Sequence, residues 1–198
     1  MFAGIVAAVG RIARSKPSGD GVRLRIEAPG LGMDDVAVGD SIAVQGVCLT
    51  VVSRDAAGFE ADVSRATLGV TQGLEAGRDV NLEKSLRFGD RVDGHLVAGH
   101  VDAMGEVIAL EELGGSARLV IGAPAALARF IARKGSVAVD GVSLTVNAVE
   151  GSRFEVNLIP HTRAATTLRN LAPRARVNLE VDMLARYVER LSQTVPGS

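Results

Sequence analysis

Ser136-Val-Ala-Val-Asp-Gly-Val-Ser-Leu-Thr-Val146 has already occurred once in this chain, as Ser41-Ile-Ala-Val-Gln-Gly-Val-Cys-Leu-Thr-Val51, 95 residues earlier. Eight of the eleven positions are identical, where ordinary composition gives about one match in fifteen per position. A second word keeps the same offset: Ala3-Gly-Ile-Val-Ala-Ala-Val-Gly10 returns as Ala98-Gly-His-Val-Asp-Ala-Met-Gly105. The chain is therefore an internal duplication. Because the repeated words include small polar residues as well as core valines, the copies are expected to share a ligand site as well as a fold.

Within the first word, Asp140-Gly141 stands between two apolar runs and reads as a two-residue hairpin turn, with Gln45-Gly46 in the same place in the other copy. The outgoing strand puts Val47, Leu49 and Val51 on one face and Cys48 and Thr50 on the other, and the second copy puts Ser143 and Thr145 on that second face. Short β-branched segments between glycines at 22–27, 58–64, 117–122 and 153–159 read as further strands of a small barrel or sandwich. Residues 125–134 read as a helix with Leu127, Phe130 and Ile131 on one face and Gly135 as its stop. An indel lies between about residues 71 and 79, after which Val80-Asn-Leu-Glu83 matches Val177-Asn-Leu-Glu180 at an offset two residues longer. Asp182 is placed to cap a short helix whose Leu184, Tyr187, Val188 and Leu191 form one stripe. About ten residues of helix are marginal alone in water, so this one must dock on a barrel or on other subunits. Residues 193–198 read as a frayed tail.

Composition narrows the function classes. Twenty-two basic residues against 23 acidic ones leave a net charge of -1, which argues against a nucleic acid held by bulk charge. One cysteine precludes an intrachain disulfide and fits a reducing compartment, so the expected location is the cytoplasm. The apolar start carries no preceding basic residue, and no run approaches the ~18 apolar residues of a membrane span. Five Phe, one Tyr and no Trp leave a flat heterocyclic ligand few protein rings to stack on, so it must use backbone groups, aliphatic walls or another flat molecule.

Cys48 reads either as a small buried hydrophobe or, since Ser143 replaces it in the copy, as a polar contact. His95 and His100 fall on opposite faces of an extended segment and lack further ligands, so no metal site is expected. His100 stands where the first copy has Ile5 and is suited to proton traffic near neutral pH. Pro160 should end a strand and leave His161 and Thr162 on a rim. Lys134, opposite Gly39, reads as a helix-terminal charge. Neither a phosphate-binding glycine loop nor a Ser-His-Asp nucleophile has support in the sequence.

Taken together, Met1-Phe-Ala-Gly-Ile-Val6, Gly46-Val-Cys-Leu-Thr50, Gly94-His-Leu-Val-Ala-Gly-His-Val-Asp102, Lys134-Gly-Ser-Val-Ala-Val-Asp-Gly-Val-Ser-Leu-Thr-Val-Asn147 and Leu158-Ile-Pro-His-Thr162 resemble the riboflavin synthases of the homotrimeric, duplicated-barrel kind. The resemblance implies an all-β fold, with two similar six-stranded Greek-key β-barrels in tandem and a short C-terminal α-helix through which three subunits associate. It divides the chain into a barrel over residues 1–90, a barrel over 91–182 and an association element over 183–198. The implied reaction converts two molecules of 6,7-dimethyl-8-ribityllumazine into riboflavin and 5-amino-6-ribitylamino-2,4-pyrimidinedione by transfer of a four-carbon unit, with no metal or redox cofactor. The alternative is a non-catalytic lumazine- or flavin-binding antenna or carrier protein, a kind of relative that loses polar words in its second half.

Carried over by position, the first site comprises Gly4, Ile5 and Val6, the strand residues Cys48, Leu49 and Thr50, and the rim residues Asp62, Val63, Ser64, Arg65, Ala66 and Thr67. The second comprises Gly99, His100 and Val101, then Lys134, then Ser143, Leu144 and Thr145, and the rim residues Asn157, Leu158, Ile159, Pro160, His161 and Thr162. Main-chain groups would pair with the pteridine edge, and Asp62, Asn157 and the rim threonines with ribityl hydroxyls. Cys48, Ser41, Ser143 and His100 would surround the reacting carbons, with Asp182 as a further acid. This sequence departs from the family pattern at Ala3, Gln45, Arg65-Ala66 and Met104.

Overall fold

The computed structural model describes residues 1–193, and within it the repeated word folds as the hairpin expected of it. Gln45 and Gly46 have φ of 51° and 83°, and Asp140 and Gly141 have 49° and 79°. Both central residues of each turn are thus left-handed, the arrangement whose twist matches the flanking strands. The turns bring Val44 opposite Val47 and Val139 opposite Val142.

Outward from these hairpins each copy closes into an antiparallel barrel. The first contains β1 (Ala8–Ser18), β2 (Gly21–Glu27), β3 (Ser41–Val44), β4 (Val47–Asp55), β5 (Gly58–Val63) and β6 (Asp79–Lys84), neighbouring in the order β1-β2-β5-β4-β3-β6. The second repeats it with β7 (Ala103–Leu113), β8 (Ser116–Gly122), β9 (Ser136–Val139), β10 (Val142–Glu150), β11 (Arg153–Leu158) and β12 (Arg176–Val181). Bulges fall at Ile12/Arg14 and Val51/Ser53, and again at Val107/Ala109 and Val146/Ala148. An extra residue at these points bends the strand, which lets a six-stranded sheet close on itself. Closure leaves no open sheet edge, so two small domains of one topology can sit side by side without pairing edge to edge.

Alternation along the strands fills each barrel separately. Ile12, Leu24, Ile26, Leu49, Phe59 and Leu82 belong to one core, and Val107, Leu119, Ile121, Leu144, Phe154 and Leu179 to the other. A third, smaller cluster of Phe2, Ala43, Val97 and Ala138 lies at the junction, with Cys48 packed against it. Its members are themselves two pairs of repeat equivalents.

The helices are short. α1 (Arg65–Val70) and α3 (Pro160–Ala165) follow equivalent strands, and Pro160 opens α3 as β11 stops at Leu158. A 3-10 turn over Thr167–Asn170 takes up the two extra residues of the second copy. The helix expected over 125–134 is cut down to α2 (Ala125–Ala128). Beyond it Phe130 and Ile131 donate to the carbonyls three residues back, because sinking Ile131 into the core needs tighter turns than an α-helix provides. α4 (Met183–Ser192) starts at Asp182, whose Oδ1 accepts the Leu184 amide at 2.9 Å. Its apolar stripe does not dock on a barrel: Leu184, Tyr187, Val188 and Leu191 are between 63% and 84% exposed. Of the tail expected to fray, residues 194–198 lie outside the described residues.

Two crossed arms form the candidate ligand sites

The segment before each barrel forms an extended arm, and the two arms cross. Phe2 and Val97 exchange backbone hydrogen bonds of 2.8 and 3.0 Å at the junction. From there the first arm reaches over the second barrel, where the Gly4 carbonyl accepts the Ser143 amide at 2.8 Å. The second arm reaches over the first barrel, where the Gly99 carbonyl accepts the Cys48 amide at 2.8 Å. Each arm then returns to its own barrel, at Ala7 on Leu82 and at Asp102 on Leu179. Packing agrees, since Val6 lies against the second core and Val101 against the first.

This corrects the grouping that position in the sequence implies. Gly4, Ile5 and Val6 stand with Ser143, Leu144 and Thr145 of β10, while Gly99, His100 and Val101 stand with Cys48, Leu49 and Thr50 of β4. The close approach depends on glycine. Gly4 and Gly99 have φ of 74° and 79°, and a Cβ there would lie 2.6 Å from the Cβ of Ser143 and of Cys48 respectively.

Two buried carboxylates hold the arms down. Glu83 accepts the amides of Ala3 and Gly4 at 2.7 and 3.1 Å, and Glu180 accepts those of Ala98 and Gly99 at 2.6 and 2.9 Å. Burial pushes both carboxyls above their ordinary range, against the pull of the arm amides. These residues are missing from the position-based set, although the repeated Val-Asn-Leu-Glu words carried the signal. A strand that buries Asn and Glu on one face, twice, is stating a polar requirement. The asparagines join the barrels: Asn81 Nδ2 donates to the Asp140 carbonyl at 2.8 Å, and Asn178 Nδ2 to the Gln45 carbonyl at 2.9 Å. Glu180→Gln is expected to set an amide NH2 against one arm N–H and to destabilise by about 1–3 kcal/mol. Denaturant melts together with lumazine titrations will show whether His100 loses its seat.

The remaining candidates divide by the face they occupy. Leu49, Val63, Leu144 and Leu158 point into the cores, so they can offer a ligand only main-chain groups. Thr50, Thr145, Asp62 and Asn157 lie on the outer faces and are exposed, as His100 is. Ser41 sits opposite Thr50 in the β3–β4 pair. Asp62 already forms a bidentate pair with Arg23 at 2.7 and 2.8 Å, which holds its carboxyl below the usual range. On the first rim Ser64 caps α1 and bonds Thr67, with Arg65 and Ala66 in the opening turn. Ile159, Pro160, His161 and Thr162 make the matching rim at the start of α3. Lys134 is not at the end of a ten-residue helix. It holds a left-handed conformation with φ of 68°, donating its amide to Val146 at 2.7 Å, and Gly39 does the same to Val51 at 2.8 Å. The second copy thus places a lysine at a left-handed position that the first copy fills with glycine, the residue that adopts it without strain.

Comparison with known proteins agrees with a duplicated ligand site. The lumazine binding domain matches twice, over residues 3–85 and 98–182. The riboflavin synthase of Brucella abortus is 44% identical over 98% of this chain and 98% of its own length, and that of Mycobacterium bovis is 46% identical over 98% and 99%. The chain belongs to the riboflavin synthase family. Its expected membership and its two-barrel fold are thereby both established. Among solved structures the riboflavin synthase family member resembles LumP complexed with 6,7-dimethyl-8-(1'-D-ribityl) lumazine, at a TM-score of 0.81 and 25% identity over 91% of this chain and 99% of that one. LumP complexed with riboflavin gives 0.83 and 26% with the same coverage.

Proposed function

We propose that this protein is the riboflavin synthase its relatives are named for, joining two 6,7-dimethyl-8-ribityllumazine molecules and passing a four-carbon unit from one to the other. The observation that carries the reading is the doubled arm-and-strand site. Gly99 on Cys48 and Gly4 on Ser143 build two like seats, as a reaction between two copies of one substrate requires. The seats differ at Cys48/Ser143 and Ile5/His100, so one lumazine can be treated as donor and the other as acceptor. Proton removal from the C7 methyl group of one ring is assigned to His100. Polarisation or nucleophilic attack at the other is assigned to Ser143 with Thr145, or to Cys48, with Ser41 and Asp182 completing the polar surround. Main-chain groups of the arms and of β4 and β10 hold the ring edges, and Asp62, Asn157, Thr67 and Thr162 the ribityl chain. Phe2, Phe59 and Phe154 are buried in the junction and the barrel cores, which leaves few protein rings for a ligand and favours stacking of the two bound rings on each other. Holding two rings face to face can itself supply ~7–11 kcal/mol. No metal or redox cofactor takes part.

The faces bearing Thr50 and Thr145 are open to solvent, which suits a site completed by a neighbouring copy. Residues 1–90 and 91–182 act as the two binding units and 183–198 as the association element of a trimer. No helix among the described residues is long and apolar enough to cross a membrane, and the proposed location is the cytoplasm. Deleting residues 183–198 should convert the trimer to monomers in light scattering and lower turnover, whereas an intact trimer would contradict the role given to α4.

The likeness to LumP favours one second reading, a binding protein without turnover. Incubation with 6,7-dimethyl-8-ribityllumazine alone separates the two. One riboflavin for every two lumazines consumed supports the enzyme, and tight binding without product makes it a lumazine carrier.

A further inference from the structure

We infer that Arg186 of α4 is a positioning residue for His100, acting through Asp102 to pin the end of the second arm. The inference rests on the proposed reaction and assigns a residue that the position-based site leaves out. Asp102 closes the arm two residues beyond His100, and its side chain is 9% exposed. Its Oδ2 accepts the Val181 amide at 2.9 Å, and its Oδ1 accepts from the Arg186 guanidinium. A single carboxylate thus joins the arm, the end of β12 and α4. At the arm's other end Glu180 accepts the amides of Ala98 and Gly99, so His100 lies between two anchored points.

The arginine matters because the two anchors carry the same charge. Burial raises the Glu180 carboxyl, and the nearby charge of Asp102 adds to it. A guanidinium against Asp102 offsets that repulsion; without it, a largely buried carboxylate loses its partner and lifting the arm relieves the cost. The same pair decides how α4 sits. No residue of the helix is buried, and a cleft of about 540 Å³, lined by His100, Asp102, Met183 and Arg186 among others, runs between the helix and the arm. Charge rather than apolar packing therefore holds α4 to its own barrel, through Arg186 on Asp102 and Glu189 on Arg129. Residues three and four apart share a helical face, so Asp182, Arg186 and Glu189 face the barrel together and the apolar stripe faces away.

The first arm has no such latch. Ala7 stands at the position of Asp102 and Ile5 at that of His100, and no helix lies between β6 and β7. The carboxylate is therefore present in the one arm that carries the histidine. There the direction of a polar ring has to be fixed, whereas an aliphatic side chain has no such requirement. Subunits that associate through the outward stripe steady α4, and with it Arg186, Asp102 and the reach of His100.

The test uses the full chain and compares wild type, Arg186→Ala, Arg186→Lys, His100→Gln and the Arg186→Ala/His100→Gln double variant, with light scattering for assembly and lumazine fluorescence for Kd. Arg186→Ala is expected to lose kcat by roughly 10–100-fold, as for a displaced reacting group, with Kd changed by less than about threefold. Its assembled mass should match that of wild type. Arg186→Lys should recover most of the loss, since an ammonium can supply the single contact to Oδ1. In the double variant the arginine change should cost nothing further, because it acts only through the residue already removed. Amide hydrogen exchange gives a readout that needs no turnover: in Arg186→Ala, residues 98–102 should exchange at least about fivefold faster while 3–7 are unchanged. Normal kcat or unchanged arm exchange in Arg186→Ala, losses that multiply in the double variant, or a fall to monomers overturns the assignment while leaving the reaction intact. Normal kcat in His100→Gln overturns the proton role given to that residue, and a wild-type protein that makes no riboflavin overturns the reaction itself.

Discussion

Gly99→Ala is expected to cost this protein both stability and turnover, because it strikes the fold and the site together. The added Cβ would lie 2.6 Å from the Cβ and 2.8 Å from the backbone nitrogen of Cys48. Neither can rotate away, so either β4 shifts or the arm lifts and breaks the bond from the Cys48 amide to Gly99. Overpacking of this kind costs about 1–3 kcal/mol, and a left-handed φ in a residue with a side chain adds about 1–2. Gly30→Ala separates the two contributions, since Gly30 has φ of 78° with nothing within 4 Å of the added atom. Urea melts should place Gly30→Ala about 1–2 kcal/mol below wild type by the conformational term alone, and Gly99→Ala about 2–5 kcal/mol below. Riboflavin formation should fall at least tenfold in Gly99→Ala and remain near normal in Gly30→Ala. Equal stability losses would show that backbone conformation, not contact with Cys48, keeps Gly99.

The second large effect concerns Asp140, which lies 2% exposed between the barrels. Its Oδ1 accepts the Asn178 amide at 2.8 Å and Gln72 Nε2 at 3.4 Å. Burial outweighs these bonds and raises its pKa from 3.8 to about 7. The folded protein therefore binds this proton more tightly than the unfolded chain. The contribution is complete below the unfolded value near 3.8 and disappears as pH rises through about 7, a span corresponding to about 4 kcal/mol. Glu83 and Glu180, also raised, act in the same direction. Stability should consequently fall between about pH 4 and pH 7, reaching into a range where most proteins are near their maximum. The first barrel supplies the control. There Gln45 fills the place of Asp140, and its neutral Oε1 accepts the Asn81 amide at 3.0 Å. Asp140→Asn should flatten most of the decline and leave the variant more stable than wild type at pH 8. A pH profile unchanged by the substitution would mean that Asp140 is solvated in solution.

Much of this was legible in the amino-acid sequence, for reasons particular to the residues. Asp140-Gly141 and Gln45-Gly46 announce hairpins because few residues accept two successive left-handed conformations. Leu184, Tyr187, Val188 and Leu191 announce α4 because helical periodicity is a local property. The misreadings share one cause. The helix over 125–134 was read from local propensity, which burial of Ile131 in the second core overrides. His95 was weighed as a metal ligand from its spacing to His100, whereas its ring hydrogen-bonds Ser143, far along the chain. Glu83 and Glu180 stood in repeated words but served only to align them, since nothing local says that a carboxylate will meet an arm from its own copy's start.

By itself, then, the sequence determined the duplication, the strand alternation, the turns, the C-terminal helix and the family. Each depends on short-range periodicity or on likeness between words. Only the tertiary structure decided that the arms cross, so that Gly4 serves Ser143 and Gly99 serves Cys48. That pairing arises from two closed barrels meeting about a local twofold through Phe2, Val97 and the Gly46 and Gly141 turns. The contacts made across such an axis depend on how whole barrels are placed, and no period in the chain records that placement.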